Sequence, residues 1–227
     1  MNKLIVFSII GGLAALPAFP QTSTAQVRVV HASSDAPAVD ILVDGNLAFQ
    51  SLRYKDYTNY AAVPVGTHEI KVNVSGTSTT VLSTMATLGP NAYTFYAMGK
   101  VAPAPGGGSL TLIGTGDDVS TPDSESVRVR VVHAASTAPA VDVYVTAPFA
   151  PLGGAPLLTN VPFTFGAASV TVPAADYQAR VTPTGTTTVA INSGRVRFMG
   201  GTARTVVALD PPAEGAPFEF LVLYDVN

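Results

Sequence analysis

The chain has 227 residues, only 12% of them charged, with 12 Lys and Arg against 15 Asp and Glu and no cysteine. A net charge of −3 with no basic cluster argues against a nucleic-acid partner. The lack of cysteine excludes disulfides and a lipid-anchored cysteine, so packing alone must hold the fold.

At the N-terminus, Lys3 precedes an apolar run from Leu4 to Leu16, then Pro17, Pro20 and the small residues Ser23-Thr24-Ala25. A basic start, a short apolar stretch and small residues near a cleavage point describe a signal peptide over residues 1–25. The run is too short for a span of about 20 residues and is broken by Gly11-Gly12, and no later segment could cross a bilayer. Without Lys3 the exported chain keeps 11 basic against 15 acidic residues.

The next stretch organises everything after it. Val27–Val43 reads Val-Arg-Val-Val-His-Ala-Ser-Ser-Asp-Ala-Pro-Ala-Val-Asp-Ile-Leu-Val, and it returns at Val129–Val145, changed only at the places of residues 33, 35, 41 and 42. A repeat spaced by about 100 residues is a domain duplication, since solenoid repeats are much shorter. The expected layout is a first β-sandwich over 26–116, a linker over 117–126 and a second β-sandwich over 127–227.

Alternation supports strands throughout. Ile70, Val72 and Val74 share one face of His68–Val74, while Glu69, Lys71 and Asn73 share the other. Val27 and Val29 alternate with Arg28, and Val39, Ile41 and Val43 with Asp40 and Leu42. Further strands are predicted at Tyr57–Val63, Ser78–Ser83, Asn91–Met98 and Ser109–Ile113, with turns at Asp44-Gly45-Asn46, Pro64-Val65-Gly66, Ser75-Gly76 and Gly89-Pro90-Asn91. About seven short strands without helical periodicity indicate an antiparallel β-sandwich. Ala102–Ser109 reads as an exposed flexible loop. The acids Asp117, Asp118, Asp123 and Glu125 read as a solvated linker, because their spacing is not that of a calcium loop.

The paired motifs resemble the bacterial domain-of-unknown-function family DUF4397. The resemblance covers nearly everything after the leader. It implies an exported or cell-envelope protein with immunoglobulin-like β-sandwich domains, often in tandem, and it carries over no catalytic or ligand residues.

His31 and His133 are the sharpest polar features, nine residues before Asp40 and Asp142 respectively. One reading makes them metal ligands, or bases oriented by aspartate with Ser33, Ser34 or Ser136 as nucleophile. No Gly-X-Ser-X-Gly elbow surrounds those serines. The preferred reading is structural, with His31, Asp40, His133 and Asp142 tying the turn between the first two strands. His68 aligns with Tyr177, which makes it a poor metal ligand. Tyr54, Tyr57, Tyr60, Tyr93 and Tyr96 suit cross-strand packing better than a contact surface, and Arg195, Arg197 and Arg204 read as outward strand residues. The sequence therefore points to a secreted, periplasmic or cell-envelope binding or structural module, without catalytic residues or a cofactor. Its expected partners are an envelope protein, a surface polymer or a second copy. The rival is a copper-dependent, superoxide-dismutase-like metalloprotein, which would need His31, His68 and His133 to converge.

Overall fold

The computed structural model describes residues 23–164, 166–213 and 216–226. Among these residues every regular element is a strand, and no helix is long and apolar enough to cross a membrane. The leader reading falls on residues 1–22, outside the described residues, and on Ser23–Ala25, of which Thr24 and Ala25 already belong to the first strand.

The N-terminal half contains β1 (Thr24–Ala32), β2 (Val39–Val43), β3 (Asn46–Leu52), β4 (Ala61–Pro64), β5 (Gly66–Val74), β6 (Thr80–Leu88), β7 (Ala92–Met98) and β8 (Thr111–Asp117). They form two four-stranded sheets, ordered β4-β1-β7-β8 and β3-β2-β5-β6. Most pairs are antiparallel. The exception is β1 with β7, which run parallel with Val29 opposite Phe95. Strand β3 was not anticipated, because Asn46–Leu52 has little apolar alternation. It is set by the tight Asp44-Gly45 turn, where both residues take positive φ.

Alternation works here as the sequence suggests. Val27, Val29, Val39, Ile41, Ile70 and Val72 all point between the sheets and are buried. Phe95 is the largest filler of this layer, at 3% exposure. It fits because Gly114 stands opposite on β8: a Cβ there would lie 2.6 Å from the Phe95 ring.

The C-terminal half repeats the plan with β9 (Ser126–His133), β10 (Val141–Thr146), β11 (Leu158–Val161), β12 (Gly166–Pro173), β13 (Asp176–Pro183), β14 (Ile191–Asn192), β15 (Val196–Arg197), β16 (Thr202–Leu209) and β17 (Glu219–Val226). One sheet runs β12-β9-β16-β17. The other runs β11-β10-β13-β14, with β15 also on β13. The parallel ladder recurs between β9 and β16.

The two halves meet through the outer faces of their motif-bearing sheets. Val30, Ala32, Tyr96 and Met98 from the first half share a buried cluster with Val132, Ala134, Val207, Leu209 and Leu223 from the second. The face that alternation would assign to water is therefore covered by another sheet. The loop after β7 joins this contact. Its tip is exposed, but Gly108 donates to the Ser136 carbonyl at 3.1 Å, and a Cβ on Gly108 would strike the Phe163 ring at 2.3 Å. Ala102 N–H also donates to Asp35 at 3.1 Å, so Ala102–Ser109 is anchored at both ends rather than free along its length.

Candidate functional site

Each histidine of the repeated motif ends its first strand and turns into the fold. His31 is 1% exposed and its Nε2 hydrogen-bonds the Pro37 carbonyl at 3.0 Å. His133 is equally buried and its Nε2 reaches the Pro139 carbonyl at 3.1 Å. The rigid Ala-Pro-Ala corner presents that carbonyl in both halves. Burial pushes the pKa of both imidazoles down, against the weaker pull of the carbonyl bonds.

The aspartates hold different turns from the histidines. Asp40 accepts from the Ser51 and Gly76 amides at 2.8 and 2.9 Å, and from the Ser75 hydroxyl. Asp142 accepts from the Asn160 and Gly185 amides at 2.8 and 2.9 Å. Ser51 and Asn160 take positive φ, as do Gly76 and Gly185. One carboxylate thus clamps two left-handed turns in each half, which also lowers its pKa. Histidine and aspartate of the motif do not form a catalytic pair.

The serines are engaged elsewhere. Ser33 Oγ donates to Asp35, Ser34 Oγ accepts from Lys100 Nζ, and Ser136 Oγ donates to the buried Asp210 at 2.6 Å. His68 bridges Asp44 (2.6 Å) and the Pro64 carbonyl (2.8 Å), and Tyr177 donates to the equivalent Pro173 carbonyl at 3.0 Å. His68 and Tyr177 therefore do the same job. Among the described residues no three His, Asp or Glu side chains gather as a metal site. His31 and His68 are committed to separate carbonyls, so these residues do not fit a copper centre.

The polar centre of the molecule lies instead between the halves. Arg28 and Arg130 are both motif residues, and both are buried, at 2% and 5% exposure. Arg28 Nε donates to Thr94 at 2.7 Å, and Arg130 Nε to Thr205 at 2.9 Å, each within its own half. Each guanidinium then crosses the joint: Arg28 pairs with Asp225, and Arg130 pairs with Asp117. Thr94 donates back to Asp117, and Thr205 to Asp225 at 2.7 Å. The result is a closed ring of two cations, two anions and two hydroxyls with near two-fold symmetry. Tyr60 breaks the symmetry, donating to Asp117 at 2.6 Å beneath the Arg28 guanidinium. Tyr96 accepts from Arg130 at 3.2 Å, and burial pushes its pKa up to about 12. Tyr54 donates across the same joint to the Asp210 carbonyl.

These placements correct three expectations. Asp117 is not a solvated linker acid, since it ends β8 with its side chain 1% exposed. Tyr54, Tyr60 and Tyr96 are not simple cross-strand packing residues: Tyr54 and Tyr96 bridge the halves, and Tyr60 holds Asp117, which does. Arg204 does not point outward: it shares its face of β16 with Val206 and Ala208, and all three line the space between the sheets. Sequence reasoning passed over Arg28 and Arg130 as ordinary alternation. The available signal was the retention of one arginine at the same motif place in both copies of a chain so poor in charge.

Comparison with known proteins adds a family and little else. No curated protein matches the chain. Solved structures with general similarity include a family 26 carbohydrate-binding module from Eubacterium rectale Amy13K in complex with maltoheptaose. It has 10% identity and a TM-score of 0.29, covering 89% of this chain and 98% of that one. An α-glucan-binding streptococcal virulence factor gives 11% identity and a TM-score of 0.28, over 87% of this chain and 96% of that one. Family 41 carbohydrate-binding modules from streptococcal virulence factors give 12% and 0.27, over 81% and 93%. At such TM-scores these likenesses carry no argument about what this chain binds. The family model for DUF4397, a domain of unknown function, matches residues 25–144, more than half of the sequence, and the chain belongs to that family.

Proposed function

We propose that residues 127–227 are a second, diverged copy of the family domain. The two copies then form one rigid exported module of the cell envelope, whose work is binding or structural assembly rather than catalysis. The observation that carries this reading is the engagement of the repeated motif. In both halves its histidine fixes a proline corner, its aspartate clamps two turns, and its arginine locks one half to the other. A catalytic base needs a nucleophile or substrate within reach of a free nitrogen or oxygen. The hydrogen-bonded atoms here are committed to backbone and to the joint, and the one unpartnered ring nitrogen among the described residues, His133 Nδ1, is enclosed by burial. The shared sheet order of the halves supports duplication. The buried joint supports a fixed spacing of the two outer sheets and their end loops, which suits simultaneous contact with an extended polymer or a neighbouring envelope protein.

The test is purification of the protein from its native envelope after cross-linking on intact cells, with elemental analysis and a serine-reactive probe on the same sample. The expected result is a reproducible polymer or protein companion, no stoichiometric metal and no labelling of Ser33, Ser34 or Ser136. Stoichiometric copper lost on His68→Gln, or labelling of one of those serines, would overturn the non-catalytic reading.

A further inference from the structure

The two sheets of the C-terminal half do not close on each other as their N-terminal counterparts do. Between them lies a cavity of about 320 Å³, walled mainly by Val131, Val143, Ala179, Val181, Val206 and Val222. The strand register shows its origin. Phe95 faces Gly114 in the first half, and Val206 faces Val222 at the same place in the second. Ile70 pairs with Val43, while Ala179 pairs with Val145. Leu52 pairs with Val39, while Val161 pairs with Val141. The second and third exchanges remove carbon from one continuous layer, while the first trades a ring that reaches across it for two short valines. Phe220, where the first half has Leu112, and Tyr224, where it has Gly116, restore some of that carbon toward the ends of the layer.

Protein interiors seldom keep voids much larger than a water molecule, because the lining atoms forfeit their dispersion contacts. A wall of aliphatic side chains offers water few partners. The space therefore asks for an apolar occupant. Its opening asks for something else. Met199 and Tyr224 stand there at 59% and 55% exposure, with Arg197 and Arg204 among the lining residues. Arg204 stacks over Tyr224 at 4.4 Å. Asp176 is ion-paired with Arg195 and stands 3.9 Å from Arg197. The charged groups among the lining residues are two arginines and no acid, which leaves the mouth positive.

We propose that this cavity is a binding site for a single-chain amphiphile with an anionic head. Its alkyl chain would lie between the sheets and its carboxylate or phosphate would rest on Arg197 and Arg204. An apolar cavity of about 150 Å³ accepts a six-carbon ring, so this one takes on the order of a dozen carbons. The site is independent of whatever partner the module's loops contact.

The test is calorimetric titration of the full mature chain with octanoate, decanoate and dodecanoate below their self-association concentrations, alongside dodecyl phosphate and dodecanol. One-to-one saturable binding is expected, with affinity rising about fourfold per added methylene. Dodecanoate should bind at least tenfold more tightly than dodecanol, and R197Q/R204Q should erase that preference. A179I installs the residue that fills the first half, so it should raise Tm and abolish dodecanoate binding. Should A179I fail to fold, A179V/V143I, which adds the same three carbons in two smaller steps, answers the same question. No saturable binding of dodecanoate or dodecyl phosphate by the wild type overturns the site. So does undiminished affinity in a folded, cavity-filled variant. Dodecanol binding as tightly as dodecanoate overturns the anionic head, and a preference between carboxylate and phosphate identifies which head the arginines take.

Discussion

The two halves share sheet order, motif and turn clamps, yet differ where stability is made. The first half closes its sheets over Phe95, Ile70, Ile41 and Leu52, all 6% exposed or less. The second places Val206, Ala179 and Val143 in that layer and leaves it open. Within this layer the motif differs only at Ile41 and Val143, so the motif does not by itself set core density. What it sets is the scaffold of turns and the joint, and the filling of each sandwich is free to differ. A hollow sandwich can remain folded when it is fastened to a filled one, because the joint buries Val132, Val207, Leu209 and Leu223 against the first half.

The sharpest way to break this comparison is to truncate the same position in each half. Phe95→Ala should cost about 3–5 kcal/mol, the usual range for a core phenylalanine. Val206→Ala should cost at most about 1.5 kcal/mol, since its surroundings are already incomplete. Urea unfolding of both variants measures the pair, and equal losses would mean that the cavity is packed shut in solution.

An effect of similar size is expected at the joint. Arg28→Ala leaves Asp225 buried without its cation, and breaking one partner of a buried pair typically costs about 3–5 kcal/mol. Arg28→Met with Asp225→Leu removes both charges and should recover most of that loss. The single variant should also split unfolding into two transitions, the hollow half melting first, as followed by calorimetry. A single sharp transition in Arg28→Ala would show that the apolar cluster alone couples the halves.

Sequence reading located the strands well and their outer partners poorly. Period-two alternation at Val27–Val30 separates two faces of a strand, but it cannot say whether the polar face meets water or another sheet. Arg28 and Arg130 therefore looked solvated and are buried. Asp117 looked like part of an acidic linker because its neighbours Asp118 and Asp123 are exposed. The clamps of His31 and Asp40 were half visible: the proline corner was legible, but the turns at Ser51 and Gly76 that Asp40 holds come from distant sequence. The cavity had no local signal, since Ala179 and Val206 are ordinary strand residues until their registers are set beside Ile70 and Phe95.

A smaller effect follows from titration. His31 and His133 have pKa values lowered by burial, so the unfolded chain binds more protons than the folded one as pH falls below about 6.5. Stability is therefore full above that value and declines as pH drops through it toward the folded-state values. Thermal unfolding between pH 8 and pH 5 should show Tm falling steadily on the acid side. Asp40 and Asp142, lowered by their amide bonds, add a further loss only below about pH 4. A flat profile from pH 8 to pH 5 would mean that both imidazoles reach solvent.

The smallest effect separates the halves through His68 and Tyr177. His68 is the one histidine whose pKa is raised, chiefly by its hydrogen bond to Asp44. Its contribution has the opposite sign to that of His31 and His133: present in full below about 6.5 and lost as pH rises through the folded-state value. Asp44 is half exposed, so the pair is partly screened by solvent and adds little. Tyr177 makes the same carbonyl contact in the other half with a phenol in place of the imidazole. His68→Tyr should therefore keep the bond to the Pro64 carbonyl and change stability at pH 8 by less than about 1 kcal/mol. At pH 5 the variant should fall further below the wild type than at pH 8, because the only opposing histidine is gone. A gap that is the same at both pH values would show that the Asp44 contact carries no charge in solution, and that His68, like Tyr177, serves only to pin its proline carbonyl.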